Sequence, residues 1–211
     1  MQNPLFATLS AARDRLARQG LLAPEGATVS LRDPASATLL LLDAAGREAL
    51  QCPIENAAAK TGAAAAHAAI YRLRGDVGAI AAGGGYFGAA LADFGGRLPQ
   101  IFDEQARHLG RMGAPARTVA ALAPELRQGG NAVLLEGLAV CLGVNCARML
   151  HNAELFEKCA KAYVLAAASG ARVGTLPWWV QRIVHGRLRR DERRAAQRIA
   201  RGLLAEEARG Y

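Results

Sequence analysis

The sequence has few aromatic residues, few histidines and no long apolar run. Aromatic residues make up 5% of the 211 positions, and only 4 histidines occur. No uncharged apolar segment reaches the roughly 18 residues that a membrane-spanning helix needs. Charges interrupt the N-terminal segment, where a signal peptide would have a continuous apolar core. These absences predict a cytoplasmic globular protein whose core is built from small aliphatic side chains.

Paired cysteine motifs are also missing. The four cysteines, at positions 52, 141, 146 and 159, form no CxxC pair. Cys141 and Cys146 have the spacing of a loose metal pair, but no histidine cluster accompanies them. We therefore expect buried free thiols, neither a disulfide framework nor a cysteine-based metal site.

Positive charge is present but concentrated at the C-terminal end. The chain carries a net charge of +8, and residues 171–211 contain ten arginines against four carboxylates, a local balance of +6. The sequence therefore predicts a globular domain over residues 1–170 and a basic amphipathic helical extension over residues 171–211. Such a helix suits a nucleic acid or an anionic surface. The alternative is a helix that packs on its own oligomer and leaves its arginines in solvent.

Helices and short strands alternate along the chain. Apolar spacing and turn residues predict helices at 4–19, 56–74, 86–93, 103–108, 118–128, 147–169 and 179–208, and strands at 29–31, 38–42, 77–82, 132–135 and 139–142. The last two strands, joined by Glu136-Gly137, form a predicted hairpin. Because a hairpin breaks a purely parallel order, the pattern predicts a three-layer α/β/α fold with a mixed central sheet.

A glycine run follows the strand at 77–82. The segment Gly83 to Gly88 matches GxGxxG, and Asp103 and Glu104 lie about 20 residues further on, as in dinucleotide-binding units. One interpretation is a nucleotide-binding loop. The other is a glycine turn that lets a helix pack closely on the sheet.

Five segments, taken in order, carry a family resemblance. They are RLARQGLLAPEGATVSLRD (15–33), AAAAHAAIYRLRGDVGAIA (63–81), LPQIFDEQARHLG (98–110), NAVLLEGLAVCLG (131–143) and the helix at 147–169. Their order and spacing resemble the class II aldolase/adducin family. The resemblance implies a class II aldolase-like fold and a homo-oligomer, a tetramer with pockets between subunits.

The resemblance also implies a chemistry that this sequence does not retain. The family's enzymes hold zinc with three histidines and use an acidic residue on a sugar phosphate substrate. The matching ligand positions are Ala82, Gly84 and Leu138, and the acid's position is Ala63. None of these side chains can bind zinc or move a proton. We therefore predict no metal site and no cofactor.

Other residues could rebuild a site in the vestigial pocket or near it. The pocket positions are Ala63, Ala82, Gly83, Gly84, Gly85, Glu136 and Leu138, and Glu136 is the acid nearest to the lost third histidine. Asp103, Glu104 and His108 are candidate replacement ligands. We interpret His67 as a packed, hydrogen-bonded core histidine, and His151 and His185 as surface residues.

These observations leave three hypotheses for function. The first is a catalytically inactive protein that acts as a structural or regulatory partner, of itself or of an active relative. The second is an enzyme, either an aldolase or epimerase-type lyase with relocated ligands or a nucleotide-binding enzyme that uses Gly83 to Gly88. The third is a binding module that acts through the arginine-rich extension.

Overall fold

The computed structural model describes residues 4–46, 49–57 and 62–206. The strands in chain order are β1 (Thr28–Asp33), β2 (Thr38–Asp43), β3 (Ala49–Pro53), β4 (Ala79–Gly83), β5 (Ala132–Leu135) and β6 (Leu138–Gly143). The helices are α1 (Pro4–Arg18), α2 (Ile54–Ala57), α3 (Ala63–Leu73), α4 (Tyr86–Ala90), α5 (Asp103–His108), α6 (Val119–Arg127), α7 (Cys146–Ala168) and α8 (Trp178–Ile199). A 3₁₀ turn, Leu91–Phe94, follows α4.

The six strands form one sheet in the order β3-β2-β1-β4-β6-β5. All five ladders between them are antiparallel. Parallel pairing occurs, within the part of the chain that the structure describes, as two isolated bridges, Leu22 with Gly84 and Ala116 with Leu135. The mixed character predicted for the sheet is thus confined to these bridges. Short turns such as Glu136-Gly137, with φ values of 52° and 84°, return the chain at once and so impose antiparallel neighbours.

Both faces of the sheet are covered by helices, which confirms the three-layer α/β/α arrangement. On one face, α1 and α7 pack through buried residues such as Leu16 and Phe156. On the other face, α3 and α6 pack through Tyr71 and Leu126. Successive side chains of β4 point to opposite faces of the sheet. Ala79 and Ala81 therefore lie in the first core, and Ile80 and Ala82 lie in the second.

The structure differs from the predicted elements in three places. The edge strand β3 was not predicted, because its sequence, ALQCP, is short and only one of its residues is buried. The single helix predicted over 56–74 is two helices, and residues 58–61 of that prediction lie outside the described ranges. The last helix ends at Ile199, nine residues before its predicted end, because the chain turns at Gly202 with φ 75°.

Helix α8 lies against the body of the protein, next to α5. Its residues Leu188, Glu192 and Ala195 are buried, while most of its arginines face outward. No helix of the described ranges is long and apolar enough to cross a membrane.

Candidate functional site

The positions that the resemblance assigns to zinc ligands lie at the end of the sheet where β4 and β6 meet. Ala82 pairs with Thr28 on one side and Val140 on the other. It is buried in the same apolar core that Ala63 and Leu138 pack against. Gly84 follows with φ 107°, and a Cβ built there would lie 2.9 Å from the Cβ of Ala139. The site is therefore lined by hydrocarbon, and a side chain at Gly84 would require Ala139 to shift.

Glu136 does not supply the missing acid inside this core. It lies at the tip of the β5–β6 hairpin, where its side chain is exposed and its φ is 52°. Its backbone N–H donates to the carbonyl of Ala116. The geometry of Glu136 is that of a turn residue.

His67 has no free ring nitrogen. It is 2% exposed; Nε2 lies 3.2 Å from the Thr28 hydroxyl and Nδ1 lies 2.7 Å from the Ser30 hydroxyl. Ser30 is in turn 2.7 Å from the Tyr71 hydroxyl. Burial lowers the pKa of His67 to about 4 and so keeps the imidazole neutral. This confirms the interpretation of His67 as a packed core histidine.

The glycine turn between β4 and α4 already holds an anion, the carboxylate of Glu157 on α7. The backbone N–H groups of Gly85, Phe87 and Gly88 donate to it at 3.2, 2.7 and 2.9 Å. A Cβ at Gly85 would lie 2.6 Å from Glu157 Oε1, so glycine is required for the carboxylate to approach. These N–H groups are the ones that a phosphate would need. The geometry therefore favours the packing-turn interpretation over the nucleotide-binding one.

The candidate replacement ligands on α5 have separate partners. Asp103 accepts from the backbone N–H of Glu104, and Glu104 lies 3.7 Å from Lys158 Nζ and 3.8 Å from His151 Nε2. His108 is half-buried and bound to an arginine. Across residues 4–46, 49–57 and 62–206, no group of three or more His, Cys, Asp or Glu side chains is placed to hold a metal ion.

His108 accepts a hydrogen bond at Nδ1 from Arg148 Nη1, over 2.6 Å. Its ring also meets that of His151 edge-on, with centroids 4.9 Å apart. Burial lowers the pKa of His108 to about 3, with smaller effects from Arg148, His151 and Arg107. The imidazole is therefore neutral, and since Nδ1 accepts, Nε2 carries the proton.

The predicted free thiols are confirmed. All four cysteines are buried and unpaired. Burial raises the pKa of Cys141 and Cys159 to about 12 and that of Cys146 to about 11. Thiols held in this form are neither nucleophiles nor good metal ligands.

A buried ionic network that no sequence pattern predicted joins α8 to the body. Arg74 donates to both oxygens of Asp76 at 2.8 and 2.7 Å, to Asn131 Oδ1 at 2.8 Å and to Glu192 Oε1 at 3.0 Å. Its Nη1 donates to two backbone carbonyls. Burial raises the pKa of Glu192 to about 7. Since Arg74 and Glu192 are 118 positions apart, no local pattern could have paired them.

No protein-family model and no curated protein sequence matches the chain. Among solved structures, it is similar to an L-fuculose 1-phosphate aldolase, with a TM-score of 0.73 and 19% identity over 90% of this chain and 98% of that one. It is similar to the L-fuculose-1-phosphate aldolase of Thermus thermophilus, with a TM-score of 0.64 and 20% identity over 82% and 98%. A putative aldolase/epimerase/decarboxylase of Klebsiella pneumoniae, YgbL, matches with a TM-score of 0.69 and 16% identity over 85% and 97%.

These similarities establish that the chain has the class II aldolase-like fold, as the sequence predicted. They extend over nearly the whole length of the structures compared. The residues at the expected metal positions do not fit zinc. Ala82, Gly84 and Leu138 carry no donor atom, and the nearby His67 uses both ring nitrogens within the core.

Proposed function

We propose that this protein is a catalytically inactive member of the class II aldolase/adducin group that acts as a structural or regulatory partner in the cytoplasm. The observation that carries the proposal is the packed strand end. Ala82, Leu138 and Ala63 pack against one apolar core, in the place where the family's chemistry requires zinc ligands and an acid. A zinc-dependent lyase needs ligands with free electron pairs and an open coordination position, and these side chains offer neither.

Each of the two enzyme hypotheses requires certain side chains to break the contacts that they make in the structure. A lyase with relocated ligands would need Asp103, Glu104 and His108 to converge, but His108 is held by Arg148 and Glu104 lies near Lys158. A nucleotide-binding enzyme would need Glu157 to leave the glycine turn, and three backbone hydrogen bonds hold it there. Both remain alternatives, and the measurement of metal content and activity below tests the lyase.

The proposed partner is a second copy of the chain, assembled as a tetramer, or an active relative. Support comes from an apolar patch at the start of α8. Trp178 and Trp179 are 74% and 55% exposed, and Ile183 is 54% exposed. Large exposed apolar side chains grouped in this way are typical of interfaces. The arginines of α8 make a nucleic acid or an anionic surface the alternative partner.

The test is metal content combined with activity. Untagged protein is dialysed briefly against excess zinc, freed of loose metal and measured by elemental analysis. A histidine-complete aldolase of the same fold, treated in parallel, is the positive control. We expect substoichiometric zinc and no aldol cleavage of sugar phosphates. One tightly held zinc per chain, lost in the variant His108→Ala or Glu136→Ala, would overturn the proposal.

The partner is tested by light scattering on a sizing column and by co-expression with a histidine-complete relative. We expect a tetramer, or a mixed complex with the relative, that is weakened by Trp179→Ser and unchanged by Arg187→Gln on the arginine-rich surface. Binding of nucleic acid that falls steeply with salt, together with a monomeric protein, would favour the binding-module hypothesis instead.

A further inference from the structure

A cavity lies between α8 and the body of the protein, away from the strand-end positions. Its volume is about 320 Å³, within the range of ~300–1,000 Å³ typical of small-molecule sites. It is bounded by the end of α5, the first turn of α7 and one face of α8. Apolar walls are supplied by Val144, Leu188 and Ala195, and the remaining lining is largely charged. The cavity is therefore both roomy and chemically mixed.

The three carboxylates of this lining already have arginine partners. Asp191 pairs with Arg107 and Glu206 with Arg198 at 2.8 Å, while Glu192 lies 3.0 Å from Arg74, a cation that it shares with Asp76. Two further arginines of the lining, Arg148 and Arg194, have no carboxylate partner among residues 4–46, 49–57 and 62–206. The cavity thus has an excess of positive charge.

Arg148 is held in place with donors to spare. Its Nη1 donates to His108 Nδ1 over 2.6 Å, while Nε and Nη2 make no hydrogen bond to any described residue. The planar guanidinium can therefore present a fork of N–H groups to an anion. His108 adds a neutral donor, because its Nε2 carries the proton and it also lines the cavity.

The N-terminus of α7 adds to the positive electrostatic potential in the cavity. This helix has 23 residues and begins at Cys146, between the two lining residues Val144 and Arg148. The N-terminus of a long helix carries a partial positive charge that favours anions. Asn145 caps the N–H of Arg148 at 2.9 Å, so the helix end is well ordered. Arg148 and the end of α7 therefore act on one side of the cavity, while Arg194 acts from α8.

We propose that this cavity binds a small organic anion, with a phosphate or carboxylate head on Arg148 and Arg194 and an apolar body against Leu188 and Val144. Because α8 forms one wall, the ligand bridges the C-terminal helix and the body. The site shares no residue with the strand-end positions or the glycine turn.

Calorimetry with four probes tests this: phenyl phosphate, benzoate, inorganic phosphate and benzyl alcohol. We expect phenyl phosphate to bind best, benzoate more weakly, inorganic phosphate weakest of the anions and benzyl alcohol not at all. Arg148→Gln and Arg194→Gln should each weaken phenyl phosphate binding about tenfold or more. Arg187→Gln, on the same helix but outside the cavity lining, is the matched control and should bind as the wild type does.

Folding of each variant is checked by denaturation, and Arg194→Gln, at an exposed position, guards against a variant that fails to fold. Binding of inorganic phosphate as tightly as phenyl phosphate would show a head-group site without an apolar subsite and would overturn the proposal in its stated form. Equal binding by wild type and both variants, or no binding of any probe at millimolar concentration, would overturn it entirely.

Discussion

The strand end and the α8 cavity differ in how their polar groups are used. At the strand end, the buried histidine and the glycine turn have internal partners: His67 binds Thr28 and Ser30, and Glu157 fills the glycine turn. In the cavity, Arg148 and Arg194 have N–H groups without protein partners in the described ranges. One region is closed by its own side chains, whereas the other is open to a ligand.

This difference bears on where function resides in a fold of this kind. A fold places its strand ends and helix termini in fixed positions, but chemistry depends on the side chains located there. In this chain the family's position for chemistry contains alanine, glycine and leucine, while uncompensated charge is found beside a C-terminal helix. The fold is therefore a guide to architecture and a poor guide to the ligand.

The largest effect is expected from Arg74, which anchors α8 and with it one wall of the cavity. Arg74→Met keeps the bulk of the side chain but leaves Asp76 and Glu192 without their cation. We expect the free energy of unfolding to fall by about 3–5 kcal/mol, the usual cost of breaking a buried ion pair. Urea denaturation at one protein concentration measures it.

Arg72→Met, two residues away at an exposed position, is the control and should change stability by less than about 0.5 kcal/mol. A loss for Arg74→Met no larger than that of the control would mean that α8 is held without the ionic network. The wall of the cavity that α8 forms would then not depend on Arg74, and the comparison of the cavity with the strand end could not rest on this network.

The next effect tests whether the glycine turn is closed by its internal anion. Glu157→Ala leaves three N–H groups of the turn without an acceptor, and we expect a loss of about 2–3 kcal/mol in the free energy of unfolding. Glu157→Gln keeps one acceptor oxygen and should cost less. Glu154→Ala removes an exposed ion pair with Arg15 and should cost under about 1 kcal/mol.

If Glu157→Ala were as stable as Glu154→Ala, the N–H groups of the turn would be satisfied by solvent. The turn would then be accessible to an external anion, and the nucleotide-binding interpretation would regain support.

Much of the fold could be predicted because it rests on short-range patterns. The period of Leu9, Ala12 and Leu16 fixed the buried face of α1, and the Glu136-Gly137 turn indicated the hairpin. The edge strand β3 was missed because an exposed strand has no apolar alternation to detect. The order of five segments, more than any single pattern, indicated the aldolase-like fold.

The candidate site could be predicted only in part. That Ala82 and Leu138 cannot bind zinc follows from their side chains alone. The partners of the remaining polar groups do not, because Glu157 meets Gly85 over 72 positions and Arg148 meets His108 over 40. Such contacts depend on how the helices pack in three dimensions, and the local spacing of residues in the sequence does not predict that packing. His67 was the exception, since its place on an alanine-rich helix already favoured burial.

The contribution of the ionic network at α8 to stability can be measured through its pH dependence. Burial raises the pKa of Glu192 from 4.5 to about 7, so the folded protein keeps a proton that the unfolded chain releases. The stability from this group is fully present below about pH 4.5 and is lost as the pH rises towards 7. Glu192→Gln removes the titration while keeping an acceptor oxygen for Arg74.

We therefore expect Glu192→Gln to gain about 2 kcal/mol relative to the wild type between pH 5 and pH 7. Denaturation midpoints at several pH values measure the difference, and groups such as His67 titrate equally in both proteins and cancel. Glu206→Gln, at a side chain 76% exposed, should follow the wild-type curve. Parallel curves for Glu192→Gln and wild type would show that Glu192 is ionised when folded.

The smallest effect concerns the tip of the β5–β6 hairpin and decides whether Glu136 is a turn residue or a functional acid. With φ values of 52° and 84°, Glu136-Gly137 has the geometry of a type I′ turn, in which Asn-Gly is preferred. Glu136→Asn should therefore stabilise the protein by about 0.5 kcal/mol, and Glu136→Val should destabilise it, because a β-branched residue resists positive φ. If Glu136→Asn lowered the stability, or if the wild type bound zinc that this variant lost, Glu136 would be a functional acid at the strand end. The strand end would then be able to bind a ligand, as the cavity is proposed to do.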